Sequence, residues 1–425
     1  MPLENFVNKM FRSFSIPSFR YLWINTITFS LVQGMALLTF LQLARELSES
    51  NKALGFFGFA VGIPVLIFGL PIGIIADRVD RRILITASHV VSCVASLGLA
   101  LLFWMGDLNL ALALILAGIS GLGIAIGQPI RQTIVPSIVP RKNLLNAIAL
   151  NNVGMQSGQF IGPVFAGVLV ATLDFGWAFT IQAGLLIAGT FSLIPLRLPP
   201  LERTIAERKI SLNKFFQDIR DGFFFVARSM DIRVLFFLLI VTTLVVNGPW
   251  QTLLPRISED QLGASKTFQG VLLSIFGAAM FIMSFIIAAL GTIKNAGGWF
   301  ALTLVIGGSI IVGIGFSHTT WLTIVLMILS GFNAAFFVNL NLTLIQINTP
   351  GFMMARVMSI YTIAMMGGAP FSALLAGVMA DVVGSAGLWF SICGASMAMI
   401  AAIIIVTQPK LRNMSSAPRN EELVP

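Results

Sequence analysis

The sequence predicts an all-α integral membrane protein, with twelve transmembrane helices in two pseudo-symmetric six-helix bundles. Three observations predict it. Of 425 residues, 57% are hydrophobic and only 10% are charged, whereas soluble domains carry about 25% charged residues. The apolar residues gather into twelve runs, each near the ~20 residues that a helix needs to cross a bilayer. One long polar stretch, 197–232, divides the runs six and six.

In chain order the runs cover 21–45, 54–76, 83–105, 108–130, 145–171 and 175–196, then 233–254, 267–290, 295–316, 320–344, 356–380 and 384–407. The chain thus divides into an N-terminal bundle (1–196), a cytoplasmic linker (197–232), a C-terminal bundle (233–408) and a cytoplasmic tail (409–425). The first run is too long for a signal-peptide core and lacks a small-residue cleavage site, so it reads as a retained first helix. Cys93 and Cys393 both fall inside predicted spans, which implies no disulfide framework.

The net charge is +9. With a cytoplasmic N-terminus and alternating helices, 22 of the 26 Lys and Arg fall on the inner side, leaving Arg45, Lys52, Arg256 and Lys266 outside. This is the positive-inside pattern. The basic excess therefore reads as topology and contact with anionic membrane lipids, not as a nucleic-acid footprint. The expected location is the inner (cytoplasmic) cell membrane, multi-pass, with both termini cytoplasmic.

Within the linker, Phe215, Phe216, Ile219 and Phe223 recur at helical spacing. They predict an amphipathic helix lying on the inner membrane surface, and Phe6, Met10, Phe11 and Phe14 read the same way. The two halves also echo each other. Gln132-Thr-Ile-Val-Pro136 precedes the fifth predicted helix and Gln346-Ile-Asn-Thr-Pro350 the eleventh, while Gly162-Pro163 corresponds to Ala369-Pro370.

Two motifs carry mechanism. The first is Gly73-x3-Asp77-Arg78-x2-Arg81-Arg82, in the short gap between the second and third predicted helices. A charge at mid-membrane costs roughly 2.5–3.5 kcal/mol on insertion scales, so this cluster marks a loop at the membrane face. The second is Gly154, Gly158 and Gly162 at i+4 spacing, followed by Pro163 and Gly167. Glycine at i and i+4 makes a flat strip for close helix contact, and Gly-Pro bends a helix.

Both motifs resemble signatures of the major facilitator superfamily (MFS). The first is similar to its loop between helices 2 and 3, with Asp80 in place of the second Gly. The resemblance implies a gating latch in which Asp77 pairs with an Arg or a helix N-terminus across the cytoplasmic gate. The second resembles the family's helix 5 antiporter signature and implies export. The stretch from Arg131 to Asn151, with Arg356-Val-Met-Ser-Ile-Tyr361, is similar to the branch that holds the enterobactin exporter and macrolide-efflux-type permeases.

On a helical wheel Asn152, Gln156 and Gln159 fall within about 60° of one another, opposite the glycine strip. Helix–helix hydrogen bonding and a cavity face are both open readings of that stripe. The resemblance implies that helices 1, 4, 7 and 10 line the cavity, which makes Gln33, Gln128, Asn247, Gln251, Asn333 and Asn339 candidate substrate contacts. No Asp or Glu lies at mid-depth of any predicted span, and Ala117 stands where the family carries an Arg in helix 4. That bears on proton coupling and moves it toward Asp77 or an outer carboxylate. His89, the one His inside a span, reads as a hydrogen-bonded packing residue.

No phosphate-binding loop, metal-ligand cluster or Ser/His/Asp arrangement occurs, so neither an enzyme nor a cofactor or metal is expected. The sequence reads as a monomeric secondary active exporter of a small amphipathic organic substrate of drug, macrolide or siderophore type. It would work by alternating access with protons as the candidate coupling ion. A lipid or lysolipid flippase on the same fold, or a transport-inactive scaffold or sensor, are the alternatives.

Overall fold

A computed structural model describes residues 12–76, 79–140, 144–196, 212–290, 295–350, 353–412 and 414. Among these the secondary structure is helical, and twelve helical segments are long and apolar enough to cross a membrane. The first six are α1 (Pro17–Leu47), α2 (Asn51–Ala76), α3 (Arg81–Met105), α4 (Leu110–Ile138), α5 (Leu144–Thr172) and α6 (Phe175–Ser192). Next comes α7 (Leu212–Arg228), in the polar linker. The seventh span is α8 (Met230–Thr242), a π turn (Thr243–Asn247) and α9 (Gly248–Leu262). Then follow α10 (Lys266–Leu290), α11 (Ala296–Gly315), α12 (Thr320–Ile347), α13 (Met354–Gly367), α14 (Ala369–Val383) and α15 (Ala386–Thr407).

The sequence sets the helix ends by capping. Side chains of Asp80, Asn109, Asp174 and Ser385 accept hydrogen bonds from the first turns of α3, α4, α6 and α15, satisfying amides that no carbonyl can reach. Asp80, which stands where the family motif has Gly, is therefore the N-cap of α3, at 2.8 Å from the Arg82 amide. Gly106 and Gly384 close α3 and α14 at φ 77°, where a Cβ would be strained.

The chain forms two compact units. One comprises Met1–Glu49, Ala60–Lys209 and Ser265–Ser274; the other comprises Ser50–Phe59, Ile210–Ala264 and Ile275–Pro425. In the first, α1 pairs with α5, and α3 pairs with α4 and α6. In the second, α9 pairs with α14, and α11 pairs with α12 and α15. The same pairings recur six spans apart, which is the internal repeat seen in three dimensions. Phe19, Leu22, Ile85, Ile130 and Ile134 centre the first core; Leu235, Phe236, Phe300, Leu344 and Met397 centre the second.

Each unit also takes in a short piece from the other half of the sequence. The start of α2 belongs to the second unit: a Cβ on Gly55 would lie 2.8 Å from the Ala373 carbonyl of α14. The start of α10 belongs to the first unit: a Cβ on Gly167 of α5 would lie 2.7 Å from the Lys266 carbonyl. Gly55 and Gly270 each stand four residues into their helix, and a Cβ on Gly270 would meet the Pro163 and Val164 backbone of α5.

One expectation needs correction, and two elements show detail that hydropathy does not carry. α4 continues past residue 130 to Ile138, so Arg131 is a helical residue and not part of a loop. Pro163 sits inside a continuous α5, whereas the eleventh span breaks between α13 and α14 at Gly368, just before Ala369-Pro370. In α7, Gly222, Phe225 and Val226 turn toward the protein, and Phe223, about 100° round the helix from Gly222, is 61% exposed; the side chains of Phe215, Phe216 and Ile219 lie outside the described residues.

Candidate functional site

The first unit holds a buried polar cluster where α1, α3, α4 and α6 meet. Arg131 of α4 is 1% exposed. Its Nη2 lies 2.6 Å from His89 Nε2 and its Nε donates to Asn25 Oδ1 at 3.3 Å. The guanidinium carbon stands 3.5 Å from the centroid of the Phe29 ring, a cation–π geometry. Nη1 is buried with no hydrogen-bond partner among the described residues. Asn25 is anchored in turn, its amide donating to the Gly189 carbonyl at 2.8 Å.

The hydrogen-bond directions fix the imidazole tautomer. Arg131 has only donors, so His89 Nε2 is the acceptor at 2.6 Å. The ring N–H therefore sits on Nδ1, 3.2 Å from Thr190 Oγ1, which itself lies 2.9 Å from the Leu186 carbonyl. The ring is stacked on Phe29 with 5.8 Å between centroids. Small residues allow the approach: a Cβ on Gly127 would come within 3.0 Å of Ser88 Cβ, and one on Gly189 within 2.8 Å of His89 Cε1. A buried cation is costly unless paired and hydrogen-bonded, yet α3, α4 and α6 contain no Asp or Glu.

The glycine motif of α5 is a packing seam on α1. A Cβ on Gly158 would lie 2.5 Å from the Leu31 amide, and one on Gly162 2.7 Å from Leu31 O and Met35 N. On α1, a Cβ on Gly34 would lie 2.7 Å from Gly158 O and 3.1 Å from Gln159 O. Pro163 has no N–H to give Gln159 O, and Gly34 backs onto that carbonyl. Gly154 is looser, its nearest neighbours being the Trp23 and Ile27 side chains. Gly167 touches the start of α10, where Thr267 Oγ1 donates to its carbonyl at 3.2 Å.

Among the candidate contact residues, Gln33 donates to Gln128 at 3.2 Å. Gln156 is half-buried and Gln159 exposed, while the side chain of Asn152 lies outside the described residues. In the second unit Gln251 donates to Asn247 at 2.6 Å, and Asn339 donates to Ala335 O at 2.8 Å and lies 3.4 Å from Ser284 Oγ. Asn333 instead abuts Gly307 of α11 within its own unit. Of the charged motif, Gly73 lies in the last turn of α2, and Arg81 and Arg82 open α3, where Arg82 donates to the Ile194 carbonyl at 3.0 Å and Arg81 is half-buried. Asp77 and Arg78 lie outside the described residues.

Sequence reasoning missed Arg131 as an interior group. The signal was available: Ser88, Ser92 and Ser96 repeat at i+4 on α3, and Gly123 and Gly127 repeat at i+4 on α4. Together they mark a close, polar helix seam.

Twelve spans, two matching sets of helix pairings and a polar interior define a membrane transporter of the major facilitator type. Solved structures agree on the fold. The nucleoside transporter NupG superposes with a TM-score of 0.73 over 93% of this chain and 99% of its own, at 13% identity. A bacterial homolog to the human lysosomal transporter Spinster, inward-facing and unoccupied, gives 0.68 over 94% and 96%, at 14% identity. The chain belongs to the family described as transmembrane secretion effector, whose model matches residues 9–423. Among curated relatives, macrolide efflux protein A of Streptococcus pyogenes is 22% identical, over 89% of this chain and 92% of its own. Enterobactin exporter EntS of Escherichia coli (strain K12) is 28% identical, over 81% of each. The protein is a multi-pass membrane transporter and not an enzyme.

Proposed function

We propose that the chain is a proton-coupled exporter of small amphipathic organic molecules, of macrolide or siderophore type, working by alternating access. The observation that carries this reading is that two differently named exporters each match more than four-fifths of the chain. The side chains support it. Gln33 with Gln128, and Asn247 with Gln251, offer neutral donors and acceptors in place of a fixed charge. Such groups suit an uncharged, hydrogen-bond-rich cargo better than a cation. Asp77, Arg78, Arg81 and Arg82 serve as the latch of the cytoplasmic gate, and the two bundles, 1–196 and 233–408, move about a site near mid-membrane. The protein works as a monomer in the inner membrane, termini cytoplasmic and basic loops on anionic lipid.

The test is efflux from cells lacking their main pumps, loaded with macrolides, dyes and catecholate siderophores, with and without a protonophore. Wild type is expected to lower accumulation of at least one class, and both Asp77→Asn and the protonophore are expected to abolish that effect. Accumulation equal to empty vector across the panel would sink the exporter reading, and lipid flipping would be assayed instead.

A further inference from the structure

The cluster around Arg131 has features that packing alone does not require. A helix seam needs small residues, and Gly123, Gly127, Ser88 and Ser92 supply them. The same seam also buries a permanent cation, leaves its Nη1 without a hydrogen-bond partner among the described residues, and sets its Nη2 at 2.6 Å from an imidazole. That contact holds only while His89 Nε2 carries a lone pair, since a protonated ring has a donor on each nitrogen and would face a second cation.

We propose that His89 is the proton-carrying residue of transport and that Arg131 gates it. With Arg131 in place, Nε2 is occupied and the ring is neutral. When Arg131 withdraws from Nε2, a proton from water can bind there. When Arg131 returns, that proton is expelled to water. One proton is thus taken up and released per full cycle: the Nε2–H bond forms as an O–H bond of hydronium breaks, and the reverse happens on release. The proposal rests on the exporter reading above and supplies the coupling group missing from mid-membrane.

Among the described residues, no acid stands beside His89. On α4 the one charged group is Arg131, and α6 carries none. On α3, Arg81 and Arg82 stand in the first turn, about 12 Å along the axis, and Cys93 lies one turn on. On α1, Arg20 is exposed and Tyr21 half-buried one turn before Asn25, while Arg45 and Glu46 are about 24 Å beyond Phe29. Polar support comes from Asn25 and Thr190, both neutral.

The test uses the full chain in lipid nanodiscs with His318→Gln, which leaves His89 as the single histidine. Ring-labelled histidine is followed by NMR from pH 8 to pH 5. A single neutral tautomer with N–H on Nδ1 is expected at the alkaline end. Acidification should form the imidazolium in step with a change in the arginine side-chain signals, and Arg131→Gln should shift the Nε2 resonance. In proteoliposomes with erythromycin as probe, His89→Gln keeps an acceptor for Arg131. It is expected to retain downhill exchange and lose accumulation driven by a pH gradient. Full gradient-driven accumulation in His89→Gln, or a ring that stays neutral throughout, would overturn the proposal. If wild type moves no erythromycin, the exporter reading fails for that probe, and the ring titration still decides: imidazolium with displaced Arg131 supports the pair, and a neutral ring ends it.

Discussion

At the scale of single residues, the glycines are not equivalent. Gly158 and Gly162 face backbone atoms of α1, which cannot yield, while Gly154 faces side chains that can. Gly184 of α6 has nothing within 4 Å of a Cβ position. Gly158→Ala and Gly162→Ala are therefore expected to lose about 1–3 kcal/mol through overpacking. Gly154→Ala should lose less, and Gly184→Ala should gain up to about 1 kcal/mol from higher helix propensity. Thermal unfolding of the purified variants in one detergent ranks them, and equal midpoints for Gly158→Ala and Gly184→Ala would refute the seam. The i+4 glycine spacing made this seam visible in the sequence. The Ser and Gly repeats of α3 and α4 marked a polar seam, but they did not say that Arg131 enters it, because a charge at the end of an apolar run reads as a loop until the facing helix is known. Burial depends on what packs opposite, and no local pattern states that.

Among elements, the seventh span shows how one helix edits another. Ser372 of α14 donates its hydroxyl to Leu244 O at 2.7 Å and accepts from the Gly248 amide at 2.9 Å. Those two backbone groups are i and i+4 and would otherwise bond each other. The hydroxyl inserts into the ladder, and the chain answers with the π turn Thr243–Asn247. Ser372→Ala removes the bridge and leaves both groups to find partners or remain unpaired, at about 1–3 kcal/mol. Hydrogen exchange should then quicken at Thr243–Asn247 relative to the rest of the span, and unchanged protection there would count against the insertion. Helix existence was legible throughout, since apolar length declares a span. The π turn and the break at Gly368 were not, because both depend on a neighbour's hydroxyl or a glycine pair rather than on hydropathy.

For the whole molecule, the charge distribution makes a topological prediction. In a chain freed of Cys93 and Cys393 by substitution to Ser, Ser48→Cys is expected to react with an impermeant maleimide added outside intact cells. Ser229→Cys should react only after permeabilisation. Labelling of Ser229→Cys from outside would reverse the assigned orientation. The repeat was legible as Gln132–Pro136 against Gln346–Pro350, yet the exchange of helix starts was not. Asp381 at the end of α14 accepts from the Asn51 amide at 2.9 Å, the Lys52 amide at 3.1 Å and the Ser50 hydroxyl. It caps α2 from more than three hundred residues away, and Gln42 receives α10 in the same manner, its amide 2.9 Å from Lys266 O and 3.1 Å from Gln269 Oε1.

That reciprocal seating has a genetic consequence. A gene split in the linker would encode two proteins, each holding the socket for the other's first exchanged turn. Expressed alone, the N-terminal piece would present α2 without its cap, and the C-terminal piece would present α14 with its carbonyl seat empty. Expressed together, they carry complementary ends and should reassemble, so each half acts as a membrane-bound chaperone for its sibling.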